Sequence, residues 1–394
     1  MEAYLLEWLN LFVRWLHFIT GIAWIGSSLY FIWLDDHLQD PRSAEDAASG
    51  VSGELWSVHG GGFYHSQKYM AAPAVLPDRL HWFKWEAYST WLSGIFLLGL
   101  VYFVGAEVYL IDRTVAELSV AAAVGSAIAF IVGGWVVYDL LCKSPLAQNE
   151  NVFAIVLLVF GSALAWGLCA LFSGRAAYIL FGSVLGTIMV ANVFFVIIPG
   201  QKKIILAVER GEAPDPGLGV RAKLRSVHNT YFTLPVLFVM TSNHFAMTYS
   251  HEYNWAVLIA ISVAGALIRI YFVARHKGQA SPLPAVLAVV LLVAVMGFMT
   301  PYTQTDDVTK ANFAQVRNVI NARCVSCHSS NPVHPAFPAA PLGVVLDTQA
   351  QILATAARIH QQTVVTRVMP IGNLTAMTDE ERQIIDQWCR SLEH

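Results

Sequence analysis

Long apolar runs separated by short polar segments make up the first three quarters of the chain. A helix needs about 20 apolar residues to cross a bilayer, and in lipid a helix satisfies its own backbone hydrogen bonds. The pattern therefore predicts eight membrane-spanning helices. In the fifth, Gly182 and Gly186 have the spacing that allows close helix packing. The predicted ranges are roughly 8–34, 85–106, 117–141, 151–172, 176–199, 228–248, 254–274 and 282–304.

The connection between the first two predicted helices, residues 35–84, is too long to be structureless. It contains three successive glycines after His59, between short runs rich in aromatic and β-branched residues. Two short strands around a glycine turn are one interpretation. Such a hairpin could fold under the helices and bring His59 or His65 toward His228.

The composition supports a membrane protein. Of 394 residues, 56% are hydrophobic and only 13% are charged, about half the charged fraction of soluble domains. This balance excludes an ordinary cytosolic enzyme and a disordered chain. The net charge of −3 gives no reason to expect nucleic-acid binding.

Loop charges predict the orientation in the membrane. Thirteen Lys and Arg residues lie in the four loops on one side, whereas the short loops on the other side carry only Arg113 and Arg175. Positive residues favour the cytoplasmic side. Both termini, and everything after about residue 304, are therefore predicted to face away from the cytoplasm.

Residues 305–394 are more polar and contain the sequence Cys324-Val-Ser-Cys327-His328. This pattern is typical of covalent c-type haem attachment, in which two thioethers hold the haem and the adjacent His ligates the iron. A zinc site would need two further ligands at suitable spacing. A thioredoxin-like redox motif would need a βαβ setting, which the sequence lacks.

The second axial ligand of such a haem is predicted to be Met369, which precedes Pro370 before a final helix; Met377 is the competing candidate. Thr378 and Glu381 have the spacing of a capping box at the start of that helix. The stretch resembles a small class I cytochrome c over nearly its whole length. Haem attachment outside the cytoplasm agrees with the orientation predicted from loop charge.

Ionisable groups at membrane depth are functional candidates, although a single His is as often a hydrogen-bonded structural residue. His228 and His244 are 16 residues apart, which is about 24 Å along a helix, so they belong to different sites. Arg269 is expected to extend its charge toward the membrane surface. The polar candidates in the predicted helices are Arg14, His17, His228, Asn229, Asn243 and His244.

Several segments together resemble the bacterial membrane-bound urate oxidases, also called urate hydroxylases, which end in a cytochrome c domain. The resemblance covers the whole chain and includes the order of its domains. It implies an all-α fold, with an eight-helix transmembrane bundle (1–304) followed by a cytochrome c domain (305–394). The segments are 14–17 with 22–26, 56–64, and 228–235 with 242–244.

The resemblance also implies the chemistry. Urate and water would give 5-hydroxyisourate, and two electrons would pass to the c-haem rather than to O₂, without hydrogen peroxide. The electrons would continue to an acceptor such as a cytochrome c or a terminal oxidase. The protein would lie in the bacterial inner membrane, with its N-terminus and haem domain in the periplasm.

A urate pocket needs a cation, amide groups and an aromatic wall, and a histidine that titrates near neutral pH could accept a proton. Because urate yields two electrons and one haem accepts one at a time, a b-type haem between His17 and His244 is a possible second centre. The alternatives are a cytochrome that shuttles electrons from quinol or a partner dehydrogenase, and a solute carrier with a redox-sensing haem domain. Near the haem the pocket candidates are Arg14, His17, Trp24, Asn243 and His244, and on the cytoplasmic side they are His59, His65, His228 and Asn229.

Overall fold

The protein is mostly helical. The computed structural model describes residues 2–69, 72–73, 76–276, 278, 281–300 and 312–392. The expectation of an all-α chain needs one correction, since the described residues include a two-stranded antiparallel hairpin. The helices before residue 300 are α1 (Glu2–His37), α2 (Ala44–Ala48), α3 (Trp85–Leu98), α4 (Val120–Lys143), α5 (Glu150–Cys169), α6 (Gly174–Ala191), α7 (Ile198–Glu209), α8 (Pro216–Ser242), α9 (Ala246–Tyr249), α10 (Asn254–His276) and α11 (Leu283–Phe298).

Five described helices are long and apolar enough to cross a membrane. The prediction of eight remains a prediction, because α3 has only 14 residues, α11 only 16, and α8 begins with a charged half. After α3 the chain continues through two short π-helical segments, with an interruption at Gly105. The five are Tyr4–His37, Val120–Lys143, Glu150–Cys169, Gly174–Glu209 and Asn254–Arg275.

Helical structure extends far into the segment that was predicted to be a long loop between the fifth and sixth helices. A π-helical segment, Asn192–Ile197, joins α6 to α7 without a break. On the other side α8 begins at Pro216, because Asp215 caps it and proline suits the first helical position. Hydropathy alone does not predict these extensions, because their turns carry several charged residues.

Helix α6 lies at the centre of the membrane module, which is the part of the protein formed by residues 2–300. It packs against α4 on one side and α8 on the other. A Cβ atom at Gly182 would come within 2.6 Å of Val239 on α8, and one at Gly134 within 2.5 Å of Val184 on α6. Glycine at these two positions allows the helices to approach closely. Gly186 has no neighbour within 4 Å of such an atom, so only the first member of the predicted glycine pair contributes.

The hairpin interpretation of the long first connection is confirmed. Strands β1 (Val51–His59) and β2 (Gly62–Tyr69) pair in antiparallel register. Gly60 and Gly61 form the turn with φ values of +59° and +81°. A two-residue turn of this kind needs positive φ at both positions, which glycine adopts without strain.

The C-terminal residues have a hydrophobic cluster of their own, separate from the core around α6. Its first and last helices meet through Phe313 and Trp388, whose ring centroids are 5.9 Å apart. The predicted domain boundary at residues 304 and 305 lies outside the described residues. The helices are α12 (Phe313–Arg323), α13 (Gln349–Ala354), α14 (Ala356–His360) and α15 (Asp379–Leu392).

Candidate functional site

A buried polar cluster joins α4, α8 and the π-helical segment after α6. The Tyr138 hydroxyl lies 2.8 Å from Nδ1 of His228 and accepts a hydrogen bond of 3.1 Å from Nδ2 of Asn192. The same Asn192 nitrogen donates to Oδ1 of Asn229 at 2.8 Å, and Nδ2 of Asn229 donates to the Met189 carbonyl. Because each of these groups has a partner, the cluster is stable inside an apolar bundle.

Arg225 supplies the charge of this cluster. Its Nη1 donates to Oδ1 of Asn192 at 3.2 Å, and its Nη2 donates to Asp139 at 2.7 Å. The guanidinium also lies over the Tyr138 ring, 5.0 Å from the centroid. Spacings of three and four residues place Arg225, His228 and Asn229 on one face of α8. The His228 ring is closed off further by Phe153, which stacks on it at 5.3 Å.

The sequence indicated two of these residues, His228 and Asn229, and missed Tyr138, Asn192 and Arg225. Asn192 could have been noticed as a lone amide within an apolar run. Arg225 was counted as a loop charge, because α8 was expected to start only at residue 228. The start of a π-helical segment at Asn192, a feature frequent at functional sites, is not readable from the sequence.

His17 is held by α3. Its Nδ1 lies 3.1 Å from both the Thr90 carbonyl oxygen and the Ser93 hydroxyl. A Cβ atom at position 94 would come within 2.8 Å of the His17 ring, so Gly94 makes room for it. Arg14 is exposed and bonds Asn10 one turn away. Trp24 packs instead with the small apolar cluster around Ala87 and Val190.

Asn243 and His244 lie in the turn after α8. Asn243 Oδ1 accepts a hydrogen bond of 3.1 Å from Nε of Arg175, a residue that the sequence had suggested only as a loop charge. His244 is exposed. In the part of the chain that the structure describes, no side-chain contact joins His244 to His17, so a haem between them remains a prediction.

The hairpin histidines do not meet His228 through any described contact. His65 Nε2 bonds the buried Glu54 carboxylate at 2.9 Å, and its ring stacks on Trp56 at 4.3 Å. His59 is exposed at the end of β1. The backbone N–H of Arg42, and to a lesser degree His65, hold the pKa of Glu54 below its ordinary value. The contacts of His65 thus stabilise the hairpin.

Arg269 does not extend to the surface as expected. It is 7% exposed, and its Nε and Nη2 are buried without a hydrogen-bond partner. Its helix, α10, packs against α8 and α1.

One cavity in the C-terminal part is lined by Cys324, Cys327, His328 and Met369 together. Nδ1 of His328 lies 3.0 Å from the Val344 carbonyl oxygen, which orients the ring and leaves Nε2 free. Met377 is buried in the apolar cluster instead and does not line this cavity. The donor set matches two thioether attachments and a His–Met axial pair.

Within the described ranges, no group of three or more His, Cys, Asp or Glu side chains could hold a metal ion. The Cys324-to-His328 motif therefore has no described partners for a zinc site, which needs four ligands.

Arg382 holds the loop that carries Met369. Its Nη1 donates to the Met369 carbonyl at 2.9 Å and to the Thr363 carbonyl. The loop then reaches the membrane module, where Val368 packs against the large apolar core and Gly372 approaches the carbonyls of Val108 and Ile111. The predicted capping box beside it is confirmed, since Thr378 and Glu381 each bond the other's backbone N–H.

The fold and these clusters define a helical protein with several helices suited to a bilayer and polar groups buried between them. The chain belongs to the urate oxidase N-terminal family, whose model matches residues 3–300. The family suggests a urate-related oxidoreductase. No curated protein and no solved structure matches the chain.

Proposed function

We propose that this protein oxidises urate to 5-hydroxyisourate and passes the electrons to a covalently bound c-haem in its C-terminal domain. Urate and one water give 5-hydroxyisourate, two protons and two electrons. Family membership across residues 3–300 supports urate as the substrate. The haem would accept one electron at a time, and O₂ would not take part.

The observation that carries the electron-transfer part is the shared cavity of Cys324, Cys327, His328 and Met369. The two cysteines would bind the haem covalently, and His328 and Met369 would be its axial ligands. With both axial positions filled, such a haem transfers electrons and does no substrate chemistry. Substrate chemistry therefore belongs to the membrane module.

Five bilayer-compatible helices support placement in a membrane. The remaining expectations are part of the same proposal: eight spans in the inner membrane, a periplasmic haem domain, and delivery of electrons to a cytochrome c or terminal oxidase. Two sequential transfers to one haem balance the two electrons of urate. The alternative is a b-type haem between His17 and His244, which together with the c-haem would hold both electrons.

The deciding experiment adds urate without oxygen to the oxidised, detergent-purified protein and records the visible spectrum. Reduced c-haem bands, with no hydrogen peroxide formed on readmitting air, are the expected result. A protein that stays oxidised with urate but is reduced by a quinol would be an electron shuttle, and the proposal would be wrong. A pyridine haemochrome spectrum of the same sample counts the c-type and b-type haems.

A further inference from the structure

A cavity of about 490 Å³ lies between the membrane module and the C-terminal domain. Its membrane-module wall comes from the chain before α4, the start of α6 and the turn between α9 and α10. Its other wall comes from the loop after Met369 and the start of α15. Ligand pockets commonly have volumes of about 300–1,000 Å³ and often lie between domains.

One short loop separates this cavity from the cavity of Cys324 and His328. Pro370 and Ile371 line both cavities, and they directly follow Met369. Only the loop of Pro370 and Ile371 would therefore separate a molecule bound between the domains from the cavity proposed to hold the haem.

Arg175 is one of three arginines that line this cavity. Its Nε is tied to Asn243, and its guanidinium lies over the Tyr109 ring, 5.2 Å from the centroid. Among the described residues, its two terminal nitrogens have no protein acceptor. Arg175 also lies in the first turn of α6, next to the Ser173 cap, where the helix dipole favours a bound anion.

Of the other charged groups that line the cavity, Arg367, Arg382, Asp112 and Asp379 are already engaged, whereas the Glu252 carboxylate is exposed. Arg367 pairs with Asp379 at 3.0 Å, and Arg382 bonds backbone carbonyls. Asp112 accepts from the backbone and the side chain of Thr114. Arg175 is therefore the cation best placed to bind an anion, and a planar one with adjacent acceptors matches its fixed guanidinium.

We propose that this interdomain cavity binds the substrate as a planar heterocyclic monoanion, and that Arg175 binds the anionic edge of that ring. The inference rests on the proposed function for its choice of urate as the ligand. It places the substrate beside the loop of Met369, at the Asn243 end of α8, which is 15 residues beyond His228. Asn243 is a positioning residue that holds the guanidinium in place.

The test compares Arg175→Gln with Arg113→Gln, which removes an exposed cation outside the cavity. For each purified full-length protein, urate binding is measured by equilibrium dialysis, and anaerobic haem reduction by urate gives KM and kcat. Loss of a charge-assisted pair should weaken binding and raise KM by about 10- to 100-fold in Arg175→Gln alone. Reduction by dithionite should be unchanged in both variants.

Two further variants distinguish a specific loss of binding from misfolding. Arg175→Lys keeps the charge and should recover part of the affinity, and Asn243→Ala should raise KM less than Arg175→Gln does. Wild-type affinity in a folded Arg175→Gln protein, or no urate binding by the wild type, overturns the inference. Urate that binds through Arg175 without reducing the haem leaves the binding site standing and refutes the proposed function.

Discussion

The hydroxyl of Tyr138 lies 2.8 Å from Nδ1 of His228 and connects α4 to α8 inside the membrane module. Asn192 donates to the same hydroxyl oxygen, so the Tyr138 proton is available for His228. The imidazole then carries its own proton on Nε2. His228 thus belongs to a buried network of hydrogen bonds, and its first role is structural.

Tyr138→Phe should therefore destabilise the protein by about 1–3 kcal/mol, because it removes the hydroxyl that bonds both Nδ1 of His228 and one N–H of Asn192 inside the protein. Tyr102→Phe is the matched control, since the buried Tyr102 hydroxyl has no hydrogen-bond partner in the described structure. Its removal should be neutral or stabilising. Thermal unfolding in detergent measures both, and an equal loss in the two variants would contradict the network.

Close packing of α6 against α8 depends on Gly182. An added methyl group would come within 2.6 Å of Val239, so Gly182→Ala should cost about 1–3 kcal/mol through overpacking. Gly186→Ala, with nothing near its added methyl, should gain up to about 1 kcal/mol from helix propensity. The measurement is the fraction of monodisperse protein after heating. Val239→Ala should rescue Gly182→Ala but should have no such effect on Gly186→Ala.

The proposal that Met369 is an axial ligand of the haem predicts different effects for two similar substitutions. Met369→Leu should remove the sulfur ligand, lower the reduction potential and abolish the methionine-to-iron charge-transfer band. Met377→Leu should leave the spectrum unchanged, because Met377 packs in the apolar cluster and leucine has nearly the same volume. The opposite result in a redox titration would make Met377 the ligand.

The lowered pKa of Glu54 predicts a pH dependence of the hairpin. A carboxyl whose folded pKa lies below its ordinary 4.5 stabilises the fold above that value, and the contribution is lost as pH falls through the lowered pKa. Hydrogen exchange of residues 51–69, corrected for intrinsic rates, should show protection at pH 7 that declines below about pH 4.5.

Glu54→Gln should show weaker protection at pH 7 and little change over the same window. The control is Asp40→Asn, which removes an exposed carboxylate from the same connection. It should keep the wild-type profile. A hairpin whose protection is independent of pH in the wild type would refute the role of the Glu54 carboxylate.

Local patterns in the sequence predicted much of the fold. The apolar runs predicted helices where α1, α4, α5 and α10 occur, and the glycines after His59 predicted the hairpin turn. The ends of α8 were missed on both sides. Its first turns are charged, and the helix breaks at Asn243, before the predicted end. Hydropathy does not show such boundaries, because helix capping and contacts with neighbouring helices decide them.

The candidate sites, like the helices, were predicted only in part. Cys324, Cys327, His328 and Met369 were predicted as a set, and all four line one cavity. The described contacts give most of the membrane candidates separate partners, and the two suggested pockets stay predictions. His17 bonds α3, His65 bonds Glu54, and Asn243 bonds Arg175, whereas only His228 and Asn229 share a cluster.

The amino-acid sequence alone determined the helical class and the Cys324–His328 motif with its predicted haem attachment. These features depend on hydropathy and on spacings of a few residues, which act locally along the chain. Only the tertiary structure decided that Tyr138, Asn192 and Arg225 surround His228, and that Arg175 faces a cavity beside the Met369 loop. The hydrogen bonds between helices in that cluster join residues 33 to 90 positions apart, and Arg175 and Ile371, which line one cavity, are 196 positions apart. These arrangements depend on how closely the helices pack and where each begins.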